Sequence, residues 1–105
     1  MIFVEMPNFE TERENYFTDE AFGMFQQMLA DRPDAGVLVP GGHGLRKVRW
    51  GLPGRGKSGG LRVIYYWRVA ESEIVLSALF AKNVRTDLSP AQFGTLARAL
   101  KVWFQ

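Results

Sequence analysis

Residues 61–82 of this chain read LRVIYYWRVAESEIVLSALFAK, and this stretch decides the fold. Residues 61–68 are rich in β-branched and aromatic side chains, which is typical of a strand. Residues 73–82 form a second and more apolar run, as expected for a strand in the middle of a sheet. The link of residues 69–72 is short enough for a hairpin. The sequence therefore predicts two adjacent antiparallel strands at the centre of the molecule.

Further strands and three helices surround this hairpin. MIFVEM at the start of the chain, residues 37–39 and residues 45–50 all read as strands. Each helix has a start signal: Asn8 is the expected N-cap of the first, Thr18 of the second, and Ser89 of the last. Apolar residues at helical spacing give the second and last helices a packing face, namely Phe22, Phe25, Leu29, Phe93, Ala97 and Leu100.

This order of elements predicts one α+β domain over residues 1–105. It has a small, mainly antiparallel sheet, two N-terminal helices and one C-terminal helix. The length suits a single core but not two. A composition of 47% hydrophobic and 13% aromatic residues also favours a packed core over disorder.

Composition excludes several classes of protein. The chain has no cysteine, so it has neither a disulfide framework, nor a thiolate nucleophile, nor a cysteine zinc site. No apolar run approaches the roughly 20 residues of a membrane span. The first residues lack the basic and long apolar regions of a signal peptide. We expect a cytoplasmic protein without a membrane partner, a cofactor or a metal.

Charge is distributed unevenly along the chain, although the formal net charge is only +2. Residues 1–34 hold eight acids and two bases, a balance of −6. Residues 35–105 hold three acids and eleven bases, a balance of +8, and the two parts together return +2. Such asymmetry indicates a half that faces a polyanion, although it also fits acidic helices that pack beside basic strands.

Strand alternation divides the basic residues of the strands between two faces. Lys47 and Arg49 point to one side of their strand, and Arg46 points to the other. On the next strand, Arg62 shares a side with Ile64, Tyr66 and Arg68. The loop GLPGRGKSGG at residues 51–60 adds Arg55 and Lys57. Its glycines allow the backbone to approach a ligand closely. We expect Lys47, Arg49, Arg62 and Lys82 to cluster on one side of the sheet, within reach of a single phosphate.

Other chemistries are poorly supported by the motifs present. The Gly-rich loop lacks the GxxxxGK[ST] spacing and joins two strands, which argues against an NTPase. His43 is the only histidine, and the sequence gives it no partner for base catalysis or metal binding. No motif activates a serine hydroxyl. Asp87 is a candidate general base, but its place just before a helix favours a role in capping.

A surface rich in Lys and Arg suits phosphates, and it suits RNA cleavage in particular. Single-stranded RNA carries its own nucleophile, the 2′-hydroxyl, so an enzyme must only orient it, move protons and stabilise the pentacoordinate phosphate. A lysine crowded by other cations is a candidate base, and aromatic side chains can stack on splayed bases. The candidate phosphate surface comprises Lys47, Arg49, Arg55, Lys57, Arg62, Lys82 and Arg85.

Several segments together resemble the HigB-type branch of the RelE/ParE toxin superfamily. They are GLRKVRW at 44–50, GRGKSGGLRVIYYW at 54–67, and a strand that ends in AKN at 81–83 and is followed by DLS at 87–89. The resemblance spans nearly the whole chain. It implies a small twisted sheet with helices packed on one face. It also implies a ribosome-dependent messenger RNA endoribonuclease, the toxin of a type II pair, whose antitoxin is a helix-turn-helix protein and whose complex with that antitoxin binds operator DNA.

The resemblance also implies roles for individual residues. The two basic positions of the first long strand fall on Lys47 and Arg49, and the arginine of the Gly-x-Arg-x-x-Tyr segment falls on Arg62. The polar pair at the end of the next strand falls on Lys82 and Asn83. These five are the predicted catalytic residues, with Arg46, Arg55, Lys57, Tyr65 and Arg85 as further RNA-binding residues.

One departure from the family concerns the general acid. The tyrosine that RelE has near its C-terminal end is missing from DLSPAQFG at residues 87–94. Either Arg85 or Lys82 would then protonate the leaving oxygen, or the activity would be weak.

Two other functions remain open. A ParE-like toxin would poison DNA gyrase by binding, without nuclease chemistry, and a nucleic-acid-binding module would have no activity. For a toxin, the acidic residues of the first two helices predict an antitoxin contact within residues 9–32, which would leave Lys47, Arg49 and Arg62 partly exposed.

Overall fold

The computed structural model describes residues 1–51 and 60–104. The strands and helices follow one another in the order expected, and the α+β class is confirmed. The elements are β1 (Ile2–Glu5), α1 (Pro7–Arg13), α2 (Asp19–Asp31), β2 (Val37–Leu38), β3 (Arg46–Trp50), β4 (Leu61–Arg68), β5 (Glu73–Ala81) and α3 (Pro90–Trp103).

The five described strands form one sheet in the order β1-β5-β4-β3-β2. β1 pairs with β5 in parallel, and the other three pairings are antiparallel. The predicted hairpin of β4 and β5 lies at the centre. A register shift after Ile64 leaves Ser77 of β5 as the extra residue of a bulge, because Ala78 pairs with Ile64 while Leu76 pairs with Tyr65.

Helices cover both faces of the sheet, and this corrects the resemblance, which implied helices on one face. α1 and α2 pack on one face, and α3 packs on the other. The two are called the α1/α2 face and the α3 face below. The physical reason is that alternate residues of β4 and β5 are apolar on both sides, so both faces need a cover.

The α1/α2 face is covered by an aromatic core. Phe25 is fully buried, and its ring centroid lies 5.4 Å from that of Phe17 and 5.4 Å from that of Trp50. Phe9 and Phe22 extend the same cluster with a centroid separation of 6.2 Å. Aromatic rings supply much buried area for few residues. Two short helices therefore suffice to seal this face.

The predicted N-cap residues are correct for two of the three helices. Thr18 accepts a hydrogen bond from the Ala21 N–H, and Ser89 forms a capping box with Gln92, as Ser89 was predicted to cap α3. The prediction of Asn8 as the first cap is wrong, since Met6 is the N-cap residue and makes no side-chain capping bond. Pro7 begins the helix because its fixed φ suits the first helical position.

The described helices are all too short or too polar to cross a membrane.

Candidate nucleic-acid interface

Three basic side chains lie together on the α3 face. Lys47 and Arg49 come from β3, where they alternate with Val48, which packs in the opposite core. Arg62 comes from β4 and is the direct cross-strand partner of Arg49. These three residues are called the basic cluster. The prediction that these three residues share a face, which rested on strand alternation together with the resemblance, is confirmed.

The basic cluster borders open clefts rather than packed core. Lys47, Arg49 and Arg62 line a cleft of about 350 Å³ together with Ala35 and Val37. A second depression of about 340 Å³ is lined by Arg49, Arg62, Trp50 and Gly51. Both are large enough for a phosphate group and part of its ribose.

Arg62 is the buried member of the cluster, with 8% of its surface exposed. Desolvation by burial is the main cause that lowers its pKa. Repulsion by Arg49 lowers it further, and attraction by Asp87 opposes both. The guanidinium donates one hydrogen bond, of 3.3 Å, to the Leu61 carbonyl. A buried cation is costly unless an anion pairs with it, so this position favours an anionic ligand.

Asp87 brings a carboxylate to the basic cluster. Its Oδ2 accepts a hydrogen bond of 2.7 Å from the Nζ of Lys47, and its Oδ1 accepts one of 2.8 Å from the Leu88 N–H. Partial burial raises the pKa of Asp87. The hydrogen bonds from Lys47 and Leu88 and the charges of Lys47 and Arg62 outweigh that effect, and the net shift is downward. The carboxylate is therefore ionised at neutral pH.

The role predicted for Asp87 is wrong in one respect. The sequence favoured assistance to the cap of α3, but Ser89 and Gln92 form that cap and Asp87 bonds to Leu88, outside the helix. The partner that sequence reasoning missed is Lys47, forty residues away. The sequence held one signal for this contact: Asp87 is the only acidic residue after Glu73.

Lys82, Asn83 and Arg85 lie in the segment that follows β5. The N–H of Lys82 donates to the Gly60 carbonyl at 3.1 Å, which places Lys82 beside the start of β4. All three residues are exposed. Arg85 also lines a separate cavity of about 310 Å³ at the outer edge of β5, together with Asn8, Glu12 and Tyr16. Lys82 and Asn83, the predicted polar pair at the end of β5, thus lie near the start of β4, which carries Arg62. Arg85 borders the separate cavity.

The structure corrects one predicted RNA-binding residue, Tyr65, and places another, Arg46, away from the basic cluster. Tyr65 is fully buried in the core of the α1/α2 face, where it cannot stack on a base. Its hydroxyl donates to the Pro33 carbonyl at 2.7 Å and accepts from the Gly36 N–H at 2.9 Å. Arg46 lies on that same face, opposite the basic cluster, and donates to the Gly36 carbonyl at 2.8 Å. Both side chains hold the turn before β2.

The remaining predicted RNA-binding residues, Arg55 and Lys57, lie outside the residues that the structure describes.

His43 lies far from the basic cluster along β4. It has a positive φ of 55° and lines a cavity of about 250 Å³ with Tyr66 and Arg68, at the opposite end of β4 from Arg62. In the described part of the chain, no three His, Cys, Asp or Glu side chains are grouped to hold a metal ion.

Exposed acidic residues of the N-terminal part lie on the two helices that cover the α1/α2 face. Glu10, Glu12, Asp19 and Glu20 are carried by α1 and α2 and are exposed to solvent. The basic cluster lies on the α3 face. These four acids therefore lie on the helices of the α1/α2 face, although Glu12 also borders the cavity that Arg85 lines.

No model of a known protein family matches this chain.

Proposed function

We propose that the chain is a ribosome-dependent messenger RNA endoribonuclease and the toxin of a type II toxin–antitoxin pair. The observation that supports this most is the basic cluster, in which a buried Arg62 adjoins Arg49 and Lys47 beside open clefts. The resemblance of the segments around these residues to HigB-type toxins supports the same function.

The basic cluster matches the charge that RNA cleavage develops. Attack of the 2′-oxygen on the adjacent phosphorus gives a pentacoordinate phosphate with extra negative charge. Arg62 and Arg49, cross-strand neighbours, would hold its non-bridging oxygens, and the planar guanidinium offers paired donors to such oxygens. Lys47 would add a third cation. The reaction leaves a 2′,3′-cyclic phosphate and a 5′-hydroxyl.

The antitoxin in this proposal is a helix-turn-helix protein that binds the acidic α1/α2 side. Its contact would include part of residues 9–32, since the exposed carboxylates there suit a basic partner. It would block access to the ribosome by its bulk and leave the basic cluster partly exposed. Hydrogen exchange of the free chain and of the complex measures this. Protection confined to β3 and β4, with none in α1 and α2, would contradict it.

Controlled expression of the chain in a bacterial host tests the proposed function. We expect amino-acid incorporation to stop within minutes, and mapped 5′ ends to reveal cuts within translated messages. Induction of the DNA-damage response with intact messages would instead indicate the gyrase-poisoning class. Neither response, together with RNA binding by the purified protein, would indicate a binding module.

The matched control is Arg98→Ala, which removes an exposed arginine of α3 that bonds to Thr95. This variant has the same change in net charge as a loss within the basic cluster. It should arrest translation as the wild type does.

A further inference from the structure

One carboxylate stands among the cations of the basic cluster, and its position requires an explanation. Asp87 reaches across from the segment before α3 to Lys47 of β3, with 2.7 Å between Oδ2 and Nζ. The charge of Arg62 from β4 also acts on it. A surface that only bound phosphate would lose affinity through such an acid, because like charges repel.

Structural roles account poorly for Asp87. The start of α3 is capped by Ser89 and Gln92 without it. The ion pair with Lys47 is partly solvated, since 43% of the Asp87 side chain and 27% of the Lys47 side chain are exposed. Exposed pairs of this kind contribute little to stability. The position of the acid therefore points to chemistry.

We propose that Asp87 is the general base that takes the proton of the attacking 2′-hydroxyl. This inference rests on the proposed function and deepens it. A carboxylate has about four acceptor sites on its two oxygens, and Lys47 and Leu88 occupy one on each. Each oxygen therefore keeps a site that can accept from a hydroxyl beside the basic cluster.

The step balances in protons and electron pairs. The 2′-O–H bond breaks and its proton passes to Asp87, while the 2′-oxygen forms a bond to phosphorus. The bond from phosphorus to the 5′-oxygen then breaks, and that oxygen takes a proton from the ammonium of Lys82. Solvent afterwards removes the proton from Asp87 and restores that of Lys82. Lys47, bound to the carboxylate, acts as a cation that positions Asp87.

The groups around Asp87 give this base a distinctive pH dependence. Lys47 and Arg62 face it from β3 and β4, and Lys82 and Arg85 are the charged residues of its own segment. The hydrogen bond from Lys47 and these charges lower the pKa of Asp87 despite its partial burial. The base is then already ionised at mildly acidic pH. A lysine base would instead become active only as the pH rises.

Single-turnover cleavage of a message on programmed ribosomes tests the inference. For the wild type we expect a rate that varies less than about threefold between pH 6 and 8, whereas a lysine base would give about tenfold per pH unit. Asp87→Asn should lose about 10²- to 10⁴-fold in rate, with its affinity for the ribosome little changed. Asp87→Glu should recover part of the rate and keep the wild-type pH profile.

Glu71→Gln is the matched control, because Glu71 is another half-exposed carboxylate paired with an arginine, Arg68, at the far end of β4. It should cleave at the wild-type rate.

Failures of the inference and of the proposed function are distinguishable. A folded wild type that cuts no message overturns both. A wild type that cuts, together with Asp87→Asn within tenfold of its rate, overturns the inference alone. So does a wild-type rate that rises about tenfold per pH unit. An Asp87→Asn variant that binds more tightly without losing rate assigns Asp87 to charge balance only.

Discussion

The same strands form both faces of the sheet, but the two faces differ in what they carry. On the α1/α2 face, Val63 and Tyr65 of β4 are fully buried under phenylalanine side chains. On the α3 face, the same strand carries Arg62 at its start and Ile64 at its middle. On the α1/α2 face Leu61, Val63 and Tyr65 are fully buried and Trp67 is partly buried, whereas the α3 face carries a charged side chain, Arg62, at the start of the strand.

The difference shows how a small domain can separate its stabilising core from the site of the proposed chemistry. The aromatic core of the α1/α2 face stabilises the sheet through its large buried rings. The open part of the α3 face then has room for a buried arginine and its neighbours. Because consecutive strand residues alternate between faces, β4 serves both purposes within eight residues.

The largest effect on stability is expected from Phe25→Ala. Phe25 is fully buried and contacts the rings of Phe17, Phe22 and Trp50. Removal of such a side chain leaves a cavity and costs about 3–5 kcal/mol of unfolding free energy. Urea denaturation measures the loss. Met24→Ala, an exposed position of the same helix, should change it by less than about 0.5 kcal/mol. Equal effects of the two variants would contradict the sealed core.

Tyr65→Phe should lose less stability than Phe25→Ala. It tests directly whether the core of the α1/α2 face is separate from the proposed site. The change removes only the hydroxyl that joins Pro33 and Gly36, and it leaves a buried carbonyl and N–H without their partner. An unsatisfied buried group costs about 1–3 kcal/mol. The melting temperature should fall while the rate of RNA cleavage stays unchanged. A folded Tyr65→Phe protein with impaired cleavage would return Tyr65 to the RNA-binding residues.

The smallest stability effect is expected from Asp87→Asn. At neutral pH, the loss of an exposed ion pair should cost less than about 1 kcal/mol. The folded state lowers the pKa of Asp87 below its usual 3.8, so its contribution is present above that pH and disappears as the pH falls through the folded-state pKa. Thermal unfolding of both proteins at pH 7 and at pH 2.5 should show the difference shrink. A difference that grows in acid would contradict the pairing.

Much of the fold follows from local sequence signals. The hairpin of β4 and β5 is specified by two apolar runs with a short link, and α3 by Ser89 followed by Pro90. The helices on both faces were not predicted, because a fully apolar strand does not indicate which helix covers which side. The bulge at Ser77 was also missed, since it changes the face of each following residue without a Gly or Pro to mark it.

The residues of the site that lie on strands were predicted by alternation and the resemblance. Contacts between segments that are distant in the sequence were missed. Alternation and the resemblance together placed Lys47, Arg49 and Arg62 on one face. Alternation also put Arg46 on the other face, and the structure shows what that residue does there. Tyr65 was assigned to RNA because it completes the Gly-x-Arg-x-x-Tyr segment of the resemblance, but its burial depends on α2 packing above it. The contact of Asp87 with Lys47 joins distant segments and leaves no local pattern.

The central claim is that the basic cluster stabilises the charge of a cleaved phosphate, and Arg62→Ala tests it most directly. The measurement is the single-turnover rate of message cleavage on programmed ribosomes, with thermal unfolding of the same samples. We expect a rate at least about 100-fold lower with no loss of stability, since the change removes a buried charge next to Arg49. Arg62→Lys should also be impaired, because lysine lacks the paired donors of the guanidinium. A folded Arg62→Ala protein that cuts messages at the wild-type rate would contradict the account.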